Sequence, residues 1–198
     1  EQLSLEAKCQ GIIGTARFEP TYSKLMPAQQ KKVREICGDR FPSLIETGFF
    51  ISIGAAYPSA IIDSINLSNG SEIDIESWNR YVSHYSKINS ILDDMAAKIA
   101  TKFFGISIPA TLYGFTVKVE HVSEYFPLTI SHRIIAEEAG LGWRGKNGLT
   151  IHEKYSCALR FASVITQTQF VPGEKQENLC GNCTACEDAC SFIRNRTV

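Results

Sequence analysis

Apolar positions along the chain repeat with two different periods. From Trp78 to Phe103 they return every three or four residues, at Trp78, Tyr81, Tyr85, Ile88, Leu92, Met95, Ile99 and Phe103. That period predicts one core-facing side of a helix of roughly seven turns, stopped by Gly105. Phe49–Ala56 is instead a short apolar run between Gly48 and Pro58, the signature of a buried strand, and Leu159–Thr168 reads as another. Met26–Cys37 is a basic, polar helical stretch that follows Pro27 and ends at Gly38. Ser131–Ala139 is a further helix, with Ser131 as N-cap and Gly140 as C′ residue. Weaker signals predict a short helix over Ser4–Gly11 with Gly11 as its stop, and another beginning at Pro58 and running to Ile65. They also predict an Asn69-Gly70 turn within the polar stretch Asn66–Asp74, a strand over Gly114–Val119, and an extended Leu149-Thr150-Ile151. Helices and strands alternate without a strict βαβ order, which favours α+β, or an irregular α/β sandwich.

Length sets the organisation. At 198 residues and 22.0 kDa, the chain suits one domain plus a small appendix. The polar stretch Val171-Pro172-Gly173-Glu174-Lys175 is the natural linker, dividing a domain over 1–172 from a tail over 173–198. With 20 basic and 21 acidic residues, the net charge of −1 lacks the surplus of a non-specific nucleic-acid binder. No run of 18 apolar residues offers a membrane span, and Glu1-Gln2-Leu3-Ser4 lacks the basic-then-apolar pattern of a signal peptide.

The cysteines carry the sharpest chemistry. There are seven, at 9, 37, 157, 180, 183, 186 and 190, and the last four fall within eleven residues. Disulfide frameworks spread their cysteines; this clustering points to a metal site in a reducing compartment, the cytoplasm. The spacing Cys180-x2-Cys183-x2-Cys186-x3-Cys190 lets thiolates converge on a soft centre, and it is the bacterial ferredoxin run for [4Fe–4S] clusters. In two-cluster ferredoxins the fourth cysteine serves the other cluster, and a proline follows it; here Ser191 follows. Three outcomes stay open: completion beyond 198, a borrowed ligand among Cys9, Cys37 and Cys157, or four thiolates on one zinc ion. Otherwise the three lone cysteines read as small buried apolar residues.

A glycine-rich segment precedes the tail. Gly140-x-Gly142-x-x-Gly145 mimics a dinucleotide fingerprint, and Gly140-x4-Gly145-Lys146 mimics a phosphate-binding loop. Both need a strand before and a helix after, and Asn147 stands where the loop requires Ser or Thr, so both are rejected. What remains is a tight turn bearing Trp143, Arg144 and Lys146, whose glycines let backbone approach closely.

Taken together, these residues resemble the epoxyqueuosine reductase family and its shorter relatives. The matching stretch is Ser131-His132-Arg133, then Ala139-Gly140-Leu141-Gly142-Trp143-x-Gly145-Lys146-Asn147, Thr166, and Cys-Gly-x-Cys-x-x-Cys from Cys180. Ile51-Ser52-Ile53-Gly54 and the long helix after Trp78 extend it upstream. The resemblance implies a nitroreductase-like core, related to cobalamin-processing proteins, followed by a ferredoxin-like module. It implies cobalamin and two [4Fe–4S] clusters, with electrons passing from cluster to cobalt to substrate; a flavin is the alternative cofactor. Ser131, His132, Arg133, Gly140, Gly142, Trp143, Gly145, Lys146 and Asn147 become cofactor-pocket residues by the same resemblance, and Cys180, Cys183, Cys186 and Cys190 metal ligands.

Two departures accompany it. The family's Asp, a proposed proton donor, aligns near Phe126, where Glu124 is the nearest carboxylate; its Glu-Arg is His132-Arg133 here. A second cysteine run is absent from this sequence. The expected function is that of a cytoplasmic oxidoreductase acting on a small molecule, a modified nucleoside of transfer RNA, or a cofactor, fed by an electron-donor protein. The rivals are a non-enzymatic corrinoid-handling protein and a zinc-stabilised interaction module. His132 reads as a pocket donor or as a hydrogen-bonding helix-start residue, and His84, His121 and His152 as structural or surface groups.

Overall fold

The computed structural model describes residues 10–65, 74–110, 120–121, 124 and 129–190. The predicted elements at residues 1–9, the Asn69-Gly70 turn, the strand over 114–119, Cys9, Phe126 and Ser191 lie outside them. Strand β1 (Gly11–Arg17) leads through α1 (Phe18–Tyr22), α2 (Pro27–Cys37) and α3 (Phe41–Thr47) to β2 (Phe49–Ala56). A short α4 (Ser59–Asp63) and the long α5 (Ile75–Lys102) precede β3 (Ile106–Ile108). Helix α6 (His132–Glu138), the small strands β4 (Trp143–Arg144) and β5 (Thr150–Ile151), β6 (Leu159–Thr166) and α7 (Ala185–Ala189) follow in the described residues.

The main sheet runs β1-β2-β6-β3, with each neighbouring pair antiparallel. This is the mixed α+β architecture the sequence predicts. Its two central strands are the two apolar runs, and both are buried on both faces, which is why they show no alternation. On one face Ile51, Ile53, Ala162 and Val164 meet Ile88, Leu92, Ala96 and Ala100 of α5. On the other, Phe50 and Ile165 meet Phe18, Leu44, Val33 and Ile135 from α1, α3, α2 and α6. Phe18 stacks on Phe50 at 4.8 Å between ring centroids, and burying such a ring contributes roughly 2–3 kcal/mol.

Three predictions need correction. Gly11 does not stop a helix; it opens β1, an edge strand whose mixed, partly exposed pattern hides it from a hydrophobic scan. The buried line of α5 runs through Ala96 and Ala100, whereas Trp78 and Met95 are 39% and 41% exposed. Small alanines let the helix lie close to the sheet, so the large residues beside them are carried to its flank. Cys157 is exposed, following the loop closed by the His152–Ser156 bridge, while Cys37 is buried as expected. Burial pushes the Cys37 thiol up to about 11. No helix of the described residues is long and apolar enough to cross a membrane.

Candidate functional site

Helix α6 ends where the glycine turn begins. A carboxylate first fixes that junction: the buried Glu137 takes two hydrogen bonds from Arg144, Nε to Oε1 at 3.2 Å and Nη2 to Oε2 at 2.9 Å. A buried carboxylate needs such pairing, because its charge would otherwise be stranded away from water. Gly140 takes φ +75° and Gly142 φ +145°, so the chain reverses into the β4–β5 hairpin without side-chain strain. Asn147 Oδ1 accepts the Leu149 N–H at 3.0 Å and holds the hairpin's own turn. A helix precedes this segment and a hairpin follows, so neither phosphate-binding geometry exists here.

The cysteine tail lies against the turn. Trp143 Nε1 donates to Cys180 Sγ at 3.4 Å, and Lys146 Nζ donates to the Cys183 carbonyl at 2.8 Å. Gln176 donates to the Gly140 carbonyl and Asn178 to the Arg144 carbonyl, each at 3.0 Å. The glycines make the approach close enough: a Cβ on Gly140 would stand 2.6 Å from the Glu174 carbonyl oxygen, and one on Gly173 2.2 Å from that of Ala139. Further back, Gly173 N–H donates to the Thr15 carbonyl at 2.7 Å, and Thr15 Oγ1 to the Val171 carbonyl at 2.6 Å. The predicted linker is irregular and exposed, as its polarity implies, yet it is stitched to β1 and α6.

An ion-pair bridge adds to this. Glu138 accepts from Lys175 at 3.0 Å and from Lys24, so the tail and the turn after α1 share one carboxylate. Burial raises the Glu138 carboxyl, but the two ammonium groups outweigh it and hold the group below the ordinary carboxylate range.

Around the cysteines, Asn178 Oδ1 accepts the Cys180 N–H at 2.8 Å, and Cys183 N–H closes a turn onto the Cys180 carbonyl at 2.8 Å. Gly181, at φ +45°, lets that turn form. Cys186 follows on α7 and Cys190 at its end. Among the described residues no three His, Cys, Asp or Glu side chains are gathered as a metal's ligands would be. The donor set itself fits a sulfur-bound centre: four thiols in eleven residues, at least partly exposed and next to a tight bend, offer soft ligation.

The other predicted residues are placed differently. His132 begins α6 with both ring nitrogens engaged: Nε2 lies 2.9 Å from the Pro109 carbonyl and Nδ1 2.9 Å from Ser163 Oγ. A carbonyl only accepts, so Nε2 carries the proton and Nδ1 accepts from the serine. Burial pushes this imidazole down to about 4, against the opposing pull of the Pro109 carbonyl. Ser131 caps α6 without a side-chain bond, and Arg133 is exposed. Gly142 and Gly145 face Ile151 of β5 rather than open space. His84 and His152 make local backbone bonds, and His121 is exposed. Glu124 is exposed and accepts the Glu120 N–H at 3.2 Å.

Sequence reasoning missed Thr15, Glu137, Glu138, Gln176 and Asn178. Of these only Asn178 carried a legible signal, an Asx-type residue two positions before a backbone turn.

No family model matches the chain. It is 38% identical over 191 residues to an epoxyqueuosine reductase of Bacillus anthracis, an alignment covering 91% of this chain and 46% of that protein. It is 28% identical over 152 residues to the epoxyqueuosine reductase of Listeria monocytogenes, covering 76% and 37%. Among solved structures it is similar to the epoxyqueuosine reductase from Bacillus subtilis, at TM-score 0.49 and 21% identity, covering 92% of this chain and 48% of that one. The chain therefore spans less than half the length of these relatives.

Proposed function

The chain is a relative of the epoxyqueuosine reductases, and on that footing we propose that it is an iron–sulfur redox protein. Cys180, Cys183 and Cys186 would hold a [4Fe–4S] cluster, with Cys190 as the fourth sulfur ligand or as a ligand of a second cluster. The reading follows the spacing of the run. A cluster so held supplies one-electron reducing equivalents, and the corrinoid that the kinship implies would be their acceptor.

The observation that carries the reading is the docking of the cysteine segment on the tryptophan turn, at Trp143–Cys180 and Lys146–Cys183. It puts the sulfurs beside the same segment that the kinship assigns to the cofactor. The chain's own tasks are then mechanical and electrostatic: the Gly140–Gly148 turn anchors the tail, Trp143 supplies a donor to sulfur, and Lys146 fixes the Cys180–Cys183 bend. The contacts of Gly140, Gly142 and Gly145 are made to the tail and to β5, so none of them is assigned a corrinoid contact. His132 is assigned no proton transfer, since both its nitrogens are committed. A ferredoxin-like module over 173–198 on a nitroreductase-like core, a cytoplasmic setting, an electron-donor protein and a transfer-RNA nucleoside substrate belong to the same proposal.

The test is anaerobic purification with analysis of iron and acid-labile sulfide. The reading expects both in near-equal amounts and a broad visible absorption that bleaches with dithionite. Iron-free, zinc-loaded protein would replace it with a structural metal module. Absorption titration with cobalamin, followed by turnover with a low-potential donor, tests the second group and the reductase activity.

A further inference from the structure

We propose that Trp143 is a positioning residue for the sulfur of Cys180, acting through its indole N–H, and that the glycine turn exists to bring that donor there. The proposal deepens the functional reading above and rests on it. Four observations converge. The indole N–H is directed at Cys180 Sγ at 3.4 Å, an ordinary N–H···S separation. Trp143 is itself fixed: it sits in β4, paired with Ile151, and its neighbour Arg144 is locked to the buried Glu137. The acceptor is fixed as well, since Asn178 holds the Cys180 amide and Lys146 holds the far end of the bend. Finally, the backbone approach that permits the contact requires glycine at 140 and 173, where any side chain would strike the opposing carbonyl.

An indole has one N–H and nothing else to donate, so its direction is the whole of its polar contribution. Lys146, Gln176 and Asn178 all donate to backbone oxygens across the turn–tail contact; Trp143 reaches a sulfur. On a sulfur that ligates iron, such a donor stabilises the more negative, reduced state. Hydrogen bonds to cluster sulfurs are among the factors that set reduction potential. Trp143 thereby biases the centre towards accepting an electron and orients the Cys180 ligand before the metal arrives.

Two measurements test this, one without metal and one with it. In reduced, metal-free protein, the indole proton signals of Trp143 and Trp78 are followed by NMR. Cys180→Ala should speed hydrogen exchange of the Trp143 indole proton by about fivefold, the factor carried by one hydrogen bond of ordinary strength. Cys190→Ala should leave it unchanged. Equal exchange in all three proteins overturns the contact. In cluster-loaded protein, Trp143→Phe should lower the midpoint potential at unchanged iron content, and Trp78→Phe should not. An unchanged midpoint in a fully loaded Trp143→Phe protein overturns the tuning role and leaves the functional reading standing. Failure of the unsubstituted protein to hold iron sinks the functional reading and the tuning role together, whatever the exchange experiment gives.

Discussion

His132 and Ser163 are joined across two layers of the fold, imidazole Nδ1 to hydroxyl at 2.9 Å, so that the first residue of α6 is pinned to a central strand of the sheet. The same ring reaches the Pro109 carbonyl beyond β3. A residue that resembles a pocket acid by position is therefore a tie between helix, strand and loop.

The first prediction follows from the charge state of that tie. His132 is held down to about 4, below the ordinary imidazole value of 6.5. Between these values the unfolded chain binds the proton and the folded chain does not. Stability is therefore full above about pH 6.5 and is lost as pH falls towards 4, by about 3 kcal/mol in all. Urea unfolding of the unsubstituted protein and His132→Gln across this range checks it; parallel pH profiles would refute the assignment.

A second prediction contrasts two serines that face each other across the β2–β6 ladder, Ser52 and Ser163. Both are fully buried, but Ser163 serves His132 whereas Ser52 Oγ has no hydrogen-bond partner among the described residues. Ser163→Ala strands an imidazole nitrogen and should cost about 1–3 kcal/mol; Ser52→Ala removes an unserved hydroxyl and should be neutral or stabilising. Chemical denaturation of the two variants distinguishes them.

Much of the central architecture was legible in the sequence, for a physical reason. Phe49–Ala56 and Leu159–Thr166 are buried on both faces, and α5 is long enough for its period to show. β1, α1, α3 and β3 were not legible, because an edge strand and helices of five or seven residues carry too few buried positions to display a period. At the site, the turn and the cysteine run were each visible as local motifs. Their mutual docking was not, since it depends on Gln176, Asn178, Lys146 and Trp143 meeting across some 34 to 37 residues of chain, and no local pattern records that.

The third prediction concerns the tail's seating. Gly140→Ala forces a side chain into a left-handed backbone and against the Glu174 carbonyl, and Gly173→Ala presses on the Ala139 carbonyl. Each should detach residues 173–184 from the turn while the sheet stays folded, at a cost of about 1–3 kcal/mol to the seated form. Trypsin cleavage after Lys175 should accelerate in both variants. Unchanged cleavage would show that the contacts do not hold the tail.

A fourth prediction separates strong from weak anchors. Glu137 is buried and doubly bonded to Arg144, so Glu137→Ala should lower stability by roughly 2 kcal/mol. Lys175 is 60% exposed, so Lys175→Met should cost well under about 1 kcal/mol despite its bond to Glu138. Thermal unfolding at low and high salt checks both, and only the Lys175 effect should fade as salt is added.

The stitching of Gly173 and Val171 to Thr15 has a consequence away from the sulfur chemistry. β1 is an edge strand of the sheet, and a bare outer strand is a template on which other chains can build. The protein's own run towards its cysteines occupies part of that margin. A proteolytic cut just ahead of residue 171 would strip this guard and leave a core inclined to stick to copies of itself.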